Sequence, residues 1–246
     1  MVREYRGVPE TRANMEVNAH LIWQLLANVD RVAEEASQRI LIAANQAIQT
    51  RGHFRIVLAG GRTPEQTYFL LIKANTNWSK WHIYYGDERC LPEADEERNS
   101  NMAARAWLNA VAIPSLQIHP IPAQLGAIAA AQRYTEIIKP ILPFDLVLLG
   151  MGEDGHTASL FPNQVHSPHE LVHPIFNAPK PPAERVSLSV AALSQTREFI
   201  FLITGRNKRE AVAAWQRGDH LPVAQIRALH TATVLIDSMA IPQESI

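Results

Sequence analysis

Apolar residues recur at helical spacing through residues 30–50, DRVAEEASQRILIAANQAIQT, where Ala33, Ala36, Ile40, Ala43, Ala44 and Ala47 share one stripe. That spacing predicts an amphipathic helix with Asp30 as its N-cap and Gly52 as its stop. The short apolar run at 54–59 predicts a buried strand ending in Gly60 and Gly61. Thr63-Pro64-Glu65-Gln66 then reads as a helix start. Thr63 is the expected N-cap, Pro64 takes the first helical position and Gln66 closes a capping box. The alternation continues with a strand at 82–85 and helices at 99–109 and 125–139, the latter ended by Pro140. Residues 144–149, FDLVLL, are apolar except for Asp145 and read as a strand buried on both faces. Residues 162–182 hold six prolines and three histidines and read as an ordered surface loop. Strands are expected at 186–190, 199–203 and 233–236, with a helix at 207–216 between the last two. Strands alternating with helices predict an α/β fold, a mostly parallel sheet flanked by helices on both faces. No linker composition or internal repeat divides the chain, so one domain is expected over residues 1–246.

Composition narrows the function classes. The 246 residues are 47% hydrophobic and 19% charged, ordinary for a globular chain. Lys and Arg number 23 against 24 Asp and Glu, a net charge of −1. That balance lacks the basic excess that nucleic-acid or membrane-surface binding calls for, and neither partner is expected. Cys90 is the single cysteine, which excludes an intramolecular disulfide and suits a reducing compartment. The opening MVREYRGVPE has no apolar run and gives no secretory signal. The longest uncharged stretch, 106–132, is broken by Pro114, Pro120 and Pro122 and cannot span a bilayer as one helix. A soluble, cytoplasmic protein is expected, monomeric by default.

In open α/β sheets ligands bind beyond the carboxyl ends of the strands, which directs attention to four segments. In LAGGRTPEQ, 58–66, a glycine pair opens a helix. Free N–H groups and the positive dipole end make this a phosphate cradle or, equally, a tight turn that binds nothing. It is no Walker A loop, because the Gly-Lys-Ser/Thr ending is missing. In LLGMGEDGHTASLFP, 148–162, Gly150, Gly152 and Gly155 match GxGxxG literally. Pro162 stops whatever follows, and no second strand ends about twenty residues on, so a dinucleotide site is rejected. The same segment sets Asp154 two residues from His156, where both project to one side of an extended chain. A carboxylate and an imidazole so placed suit general-base work near neutrality, or a structural histidine held by its turn. YYGDERCLP, 84–92, brings Asp87, Glu88 and Arg89 to a strand end, as an ion-pair cluster or as site residues. Arg185, Arg206 and Lys208 add basic groups near later strands. Two decoys are set aside. His166-x2-His169-x3-His173 has metal-like spacing, but Pro168 and Pro174 break any helix presenting it. Cys90 has no nearby histidine to activate it.

Taken in order and spacing, LAGGRTPEQTY, YYGDERCLPEADEERNSNM, FDLVLLGMGEDGHTASLFP and RVSLSVAAL followed by GRNKREAV resemble the 6-phosphogluconolactonases, from about residue 30 to the C-terminus. The wider superfamily includes glucosamine-6-phosphate deaminases. The resemblance implies a modified Rossmann-like fold of the sugar-phosphate isomerase type, no nucleotide cofactor and no required metal. It implies a small-molecule substrate, 6-phospho-D-glucono-1,5-lactone, hydrolysed to 6-phosphogluconate in the oxidative pentose phosphate pathway. Carried over residue by residue, the phosphate loop falls on Gly60, Gly61 and Thr63, with further phosphate contacts from Arg89, Arg185 and Lys208. The catalytic histidine falls on His156, with Asp154 or Asp87 expected to orient it and stabilise its imidazolium, and Asp87 and Asn101 fall on positions lining the sugar site. Arg62 departs from the serine common there, and either adds an anion partner or points to solvent.

Two rivals remain at this level. One is deaminase-type isomerisation, and the other is a non-catalytic sugar-phosphate sensor. The deaminases carry a glutamate just before the proline that ends this block, where this chain has Phe161. Sensors of this fold in bacterial regulators carry a helix-turn-helix module, for which the segment ahead of residue 30 has no room.

Overall fold

The computed structural model describes residues 21–242, so the opening segment read for a secretory signal lies outside the described residues. The described residues form nine strands. They are β1 (Leu21–Leu26), β2 (Phe54–Leu58), β3 (Trp81–Tyr85), β4 (Asp87–Arg89), β5 (Phe144–Gly150), β6 (Val172–Ile175), β7 (Arg185–Leu188), β8 (Thr196–Ile203) and β9 (Thr231–Asp237). Six α-helices accompany them: α1 (Val29–Arg51), α2 (Arg62–Leu71), α3 (Asn99–Ala106), α4 (Ala127–Ile138), α5 (Val190–Ser194) and α6 (Arg209–Gln216).

Six strands make one sheet in the order β1-β9-β8-β5-β2-β3, and every pairing in it is parallel. Its central strands are apolar because both faces are covered. β5 is buried over Phe144 to Leu149, and β8 over Phe199 to Ile203. The stripe expected on α1 is its buried face, with Val32 and Ser37 added. From β2 the chain steps outward to β3, then returns to the other side of β2 as β5. Right-handed crossovers therefore place α1 and α2 against one face and α4 against the other. α1 packs on α2, and α4 packs on β6 and β7. The reversal also opens a crevice between the carboxyl ends of β2 and β5.

The second sheet, β4-β7-β6, is antiparallel and went unforeseen in part. β4 is three polar residues with no apolar period. β6 lies inside the proline-rich stretch expected to be loop, and carries Pro174 on an edge strand, where a missing donor is tolerated. β1 also carried no usable signal. As an edge strand paired only to β9 it alternates weakly, and its Trp23 packs on Trp215 at 5.0 Å. Two caps need correction. Asn28, not Asp30, caps α1, its side chain accepting from the Arg31 N–H at 3.0 Å. At α2 the N-cap is Gly61, and no capping box forms. Thr63 sits within the helix and its hydroxyl pairs with that of Thr204 at 2.7 Å.

Candidate active site

A cavity of about 340 Å³ opens at the crevice between β2 and β5. Its floor is the loop after β2, with Ala59, Gly60 and Gly61, and the end of β5 with the two residues after it, from Leu148 to Gly152. The small sheet walls one side with Asp87, Arg89 and Arg185, and Lys208 closes another. Thus segments far apart in sequence converge on one rim of the parallel sheet, at its topological switch point.

His156 lines this cavity from the turn after β5. The turn is closed by backbone bonds from Gly152 N–H to His156 O at 2.8 Å and from Gly155 N–H to Gly152 O at 3.1 Å. It brings His156 Nδ1 within 2.5 Å of Asp154 Oδ1. Glycine at 152 is a steric requirement for that approach, since a Cβ there would lie 2.0 Å from Nδ1. Burial alone would raise the Asp154 carboxyl. The neighbouring His156 charge and ring, with the backbone N–H groups of both residues, outweigh it and hold the group below the usual aspartate value. The carboxylate therefore accepts from Nδ1–H, which leaves the Nε2 lone pair as the free base of the ring. Phe161 packs on the imidazole at 4.7 Å, and the Arg185 guanidinium lies 5.7 Å over the other ring.

The Nδ1 contact is made by Asp154, whereas Asp87, the other carboxylate expected to orient His156, belongs to a different network. Its Oδ2 accepts from Ser159 Oγ at 2.6 Å, and Asn99 Nδ2 donates to its Oδ1 at 3.2 Å and to its backbone carbonyl at 3.0 Å. Asn99 in turn stands so close to Gly60 that a Cβ on that glycine would lie 2.2 Å from Asn99 Oδ1. Glu88 is fully buried and points the other way. It accepts the N–H groups of Asn99 at 2.7 Å and Ser100 at 2.9 Å at the start of α3, and pairs with buried Arg98 at 3.5 Å. The DER triplet is thus neither a surface cluster nor a single functional unit. Asp87 and Arg89 face the cavity, while Glu88 anchors the helix behind it.

The cations differ in how they are held. Arg185 is pinned by the carbonyls of Lys180 at 2.8 Å, Pro181 at 3.3 Å and Pro182 at 3.2 Å. Burial lowers its pKa, Asp87 opposes that and Arg89 adds to it. Arg89 donates to Glu97 O, and its buried Nε has no protein partner among the described residues. Burial lowers the Lys208 pKa as well, offset by Glu153 and reinforced by Lys180.

The remaining expected residues divide. Gly60 and Gly61 line the cavity, whereas Arg62 and Thr63 line an adjoining one that shares both glycines and Lys208. Arg62 is exposed. Asn101 is not brought to the cavity. Its amide is spent on the carbonyls of Glu93 at 2.8 Å and Asp95 at 2.7 Å. Two residues on a helix diverge by about 200°, so only one asparagine of the Asn99-Ser100-Asn101 run can face the site, and it is Asn99. Ser159 was also missed. It lies inside the GHTAS segment, but nothing local shows that it meets Asp87.

The sequence model described as glucosamine-6-phosphate isomerases/6-phosphogluconolactonase matches residues 27–235, which take in every residue of this cavity. The chain belongs to that family. It is 38% identical over 210 residues to the 6-phosphogluconolactonase of Mycobacterium tuberculosis, covering 78% of this chain and 84% of that protein. Its fold is similar to the 6-phosphogluconolactonase of Thermotoga maritima, with a TM-score of 0.84, 26% identity and coverage of 89% of this chain and 100% of that one. It is also similar to the 6-phosphogluconolactonase of Trypanosoma brucei, with a TM-score of 0.81, 26% identity and coverage of 90% and 98%.

Within this glucosamine-6-phosphate isomerase/6-phosphogluconolactonase chain the decoys have local explanations. His166 stacks on His173 at 4.6 Å, and His173 pairs with Glu170 at 3.1 Å. No three His, Cys, Asp or Glu side chains gather into a metal-binding set among the described residues. Burial, with Glu184 and Glu88, pushes the Cys90 thiol up to about 11, which disfavours the nucleophilic thiolate. No helix among the described residues is long and apolar enough to cross a membrane.

Proposed function

We propose that the chain hydrolyses 6-phospho-D-glucono-1,5-lactone to 6-phosphogluconate, the lactonase step of the oxidative pentose phosphate pathway. The observation that carries this is the 2.5 Å contact between His156 Nδ1 and Asp154, made on the wall of a cavity that also presents Lys208, Arg185, Arg89 and the glycine loop. In this reading Gly61, Thr63 and the cations hold the phosphate, and Asp87 and Asn99 border the sugar. His156 Nε2 takes a proton from a water as its oxygen attacks C1. Asp154 steadies the imidazolium that forms. The tetrahedral oxyanion collapses by expelling the ring oxygen, which receives the proton from Nε2. The new carboxylic acid then ionises in water. A donor on the cavity wall that is not engaged by the phosphate meets the negative charge developing at C1.

The deaminase-type alternative needs an acid–base group where Phe161 stands. Phe161 is buried against the His156 ring and can neither give nor take a proton. We further propose a single catalytic domain that acts as a cytoplasmic monomer without a cofactor, in line with its one cysteine and balanced charge. Purified protein added to freshly prepared lactone should release acid well above the buffer rate. Release at the buffer rate, or ammonia from glucosamine 6-phosphate, would overturn the reading.

A further inference from the structure

Lys180 is not part of any motif, yet it lines the same cavity as His156 and Lys208. It sits at the tip of the hairpin joining β6 to β7, which is closed by the Ala178 N–H to Ala183 O bond at 3.0 Å. Arg185 donates to three successive carbonyls of this tip, including that of Lys180. The backbone at Lys180 is therefore fastened to a cation that itself faces the site. Its side chain, by contrast, remains 67% exposed, and the ammonium makes a loose ion pair with Glu153 at 3.8 Å. Glu153 is half exposed and is also the acceptor for Asn207 Nδ2 at 2.8 Å, one residue before Lys208. One carboxylate thus pairs with Lys180 and accepts from Asn207, the residue next to Lys208, and both lysines line the cavity. The mutual influence of the lysines is visible at Lys208, whose charged form Lys180 disfavours and Glu153 favours.

Resting on the phosphosugar reading above, we propose that Lys180 is a further binding residue for the ligand's phosphate, held by Glu153 in the free protein and passed to the phosphate when it enters. A dianionic phosphate offers more charge and more acceptor oxygens than Glu153, so the ammonium gains by the exchange. Glu153 is a placeholder: it keeps two lysines from repelling one another across an empty site, and it competes with the ligand. Two opposite effects follow from one geometry. Removing Lys180 weakens phosphate binding, and removing the Glu153 charge strengthens it. Because Lys180 is exposed, its contact is discounted for solvent, and a loss of about three- to tenfold is expected rather than more.

The test is titration of 6-phosphogluconate, by calorimetry, into the native protein and into Lys180→Ala, Lys180→Arg and Glu153→Gln. Lys180→Ala should bind about three- to tenfold more weakly, Lys180→Arg should recover most of that, and Glu153→Gln should bind more tightly than the native protein. With lactone, Lys180→Ala should raise KM and leave kcat in place. Native affinity in Lys180→Ala, or weakening by Glu153→Gln, overturns the assignment while native binding upholds the phosphosugar reading. A native protein that binds no 6-phosphogluconate overturns both.

Discussion

Strand β5 reads FDLVLLG and strand β4 reads DER, yet both are buried for most of their length. β5 lies at the centre of the parallel sheet, where, apart from Asp145 paired with Arg51 and the Arg55 N–H, burial follows from apolar area, at about 25 cal/mol per Å² removed from water. β4 opens the small antiparallel sheet, where Asp87 is 8% exposed and Glu88 0%. A polar strand is held inside only because each charge is met: Asp87 by Ser159 and Asn99, Glu88 by Arg98 and the start of α3. The comparison teaches a division of labour. The large sheet supplies stability and a rim, and the small sheet carries charged groups to that rim at fixed positions. Between them lies the His156 turn, which leaves the large sheet and meets the small one through Ser159.

The sharpest way to break this division is at the turn. His156→Ala should lower kcat about 10²- to 10⁴-fold, with little change in KM and no loss of thermal stability. A variant that instead melts early with kcat preserved would move His156 from chemistry to structure.

Next in size, the two sheets should fail differently on mutation. Leu146→Ala in β5 should destabilise the fold by about 2–5 kcal/mol while the folded fraction keeps its kcat. Glu88→Ala leaves Arg98 buried without its partner and strips acceptors from the Asn99 and Ser100 N–H groups. It should destabilise by about 3–5 kcal/mol and also impair activity, because Asn99 and Asp87 are held by the same segment. Denaturant melts beside kcat for both variants distinguish the sheets. Equal loss of kcat in both would erase the contrast.

Smaller effects sharpen the cation wall. Arg185→Ala or Lys208→Ala should each lower kcat/KM about ten- to a hundredfold, as expected for a charge-assisted contact of about 1.5–3 kcal/mol. Lys208 adds a pH signature. Burial disfavours its charged form, so it releases its proton at lower pH than an ordinary lysine. Affinity for 6-phosphogluconate should thus begin to fall with rising pH before the usual lysine range of about 10.4 is reached. Binding there should take up protons, since the phosphate favours the charged ammonium. Calorimetry in buffers of different ionisation enthalpy reads that uptake, and its absence would place Lys208 away from the phosphate.

The elements of the parallel sheet were legible where burial imposes a period: the α1 stripe, the apolar run of β5 and the glycine break after β2 each follow from local sequence. The His156–Asp154 pair was legible too, though alternation along an extended chain predicts it and the structure makes it in a closed turn, with Gly155 at positive φ. The small sheet was not legible, because its strands are stabilised by pairing and by side-chain hydrogen bonds across long separations, such as Ser159 to Asp87. Periodicity does not record such contacts. The choice of Asn99 over Asn101 depended on how α3 is rotated against Gly60, and the Thr63 hydroxyl, expected as a cap, instead pairs with Thr204, the residue after β8. What the chain determined alone is whatever short-range sterics and apolar periodicity decide. Tertiary structure decided which charges face the cavity, because the cost of burying a charge is settled by its partners, and those partners come from elsewhere in the chain.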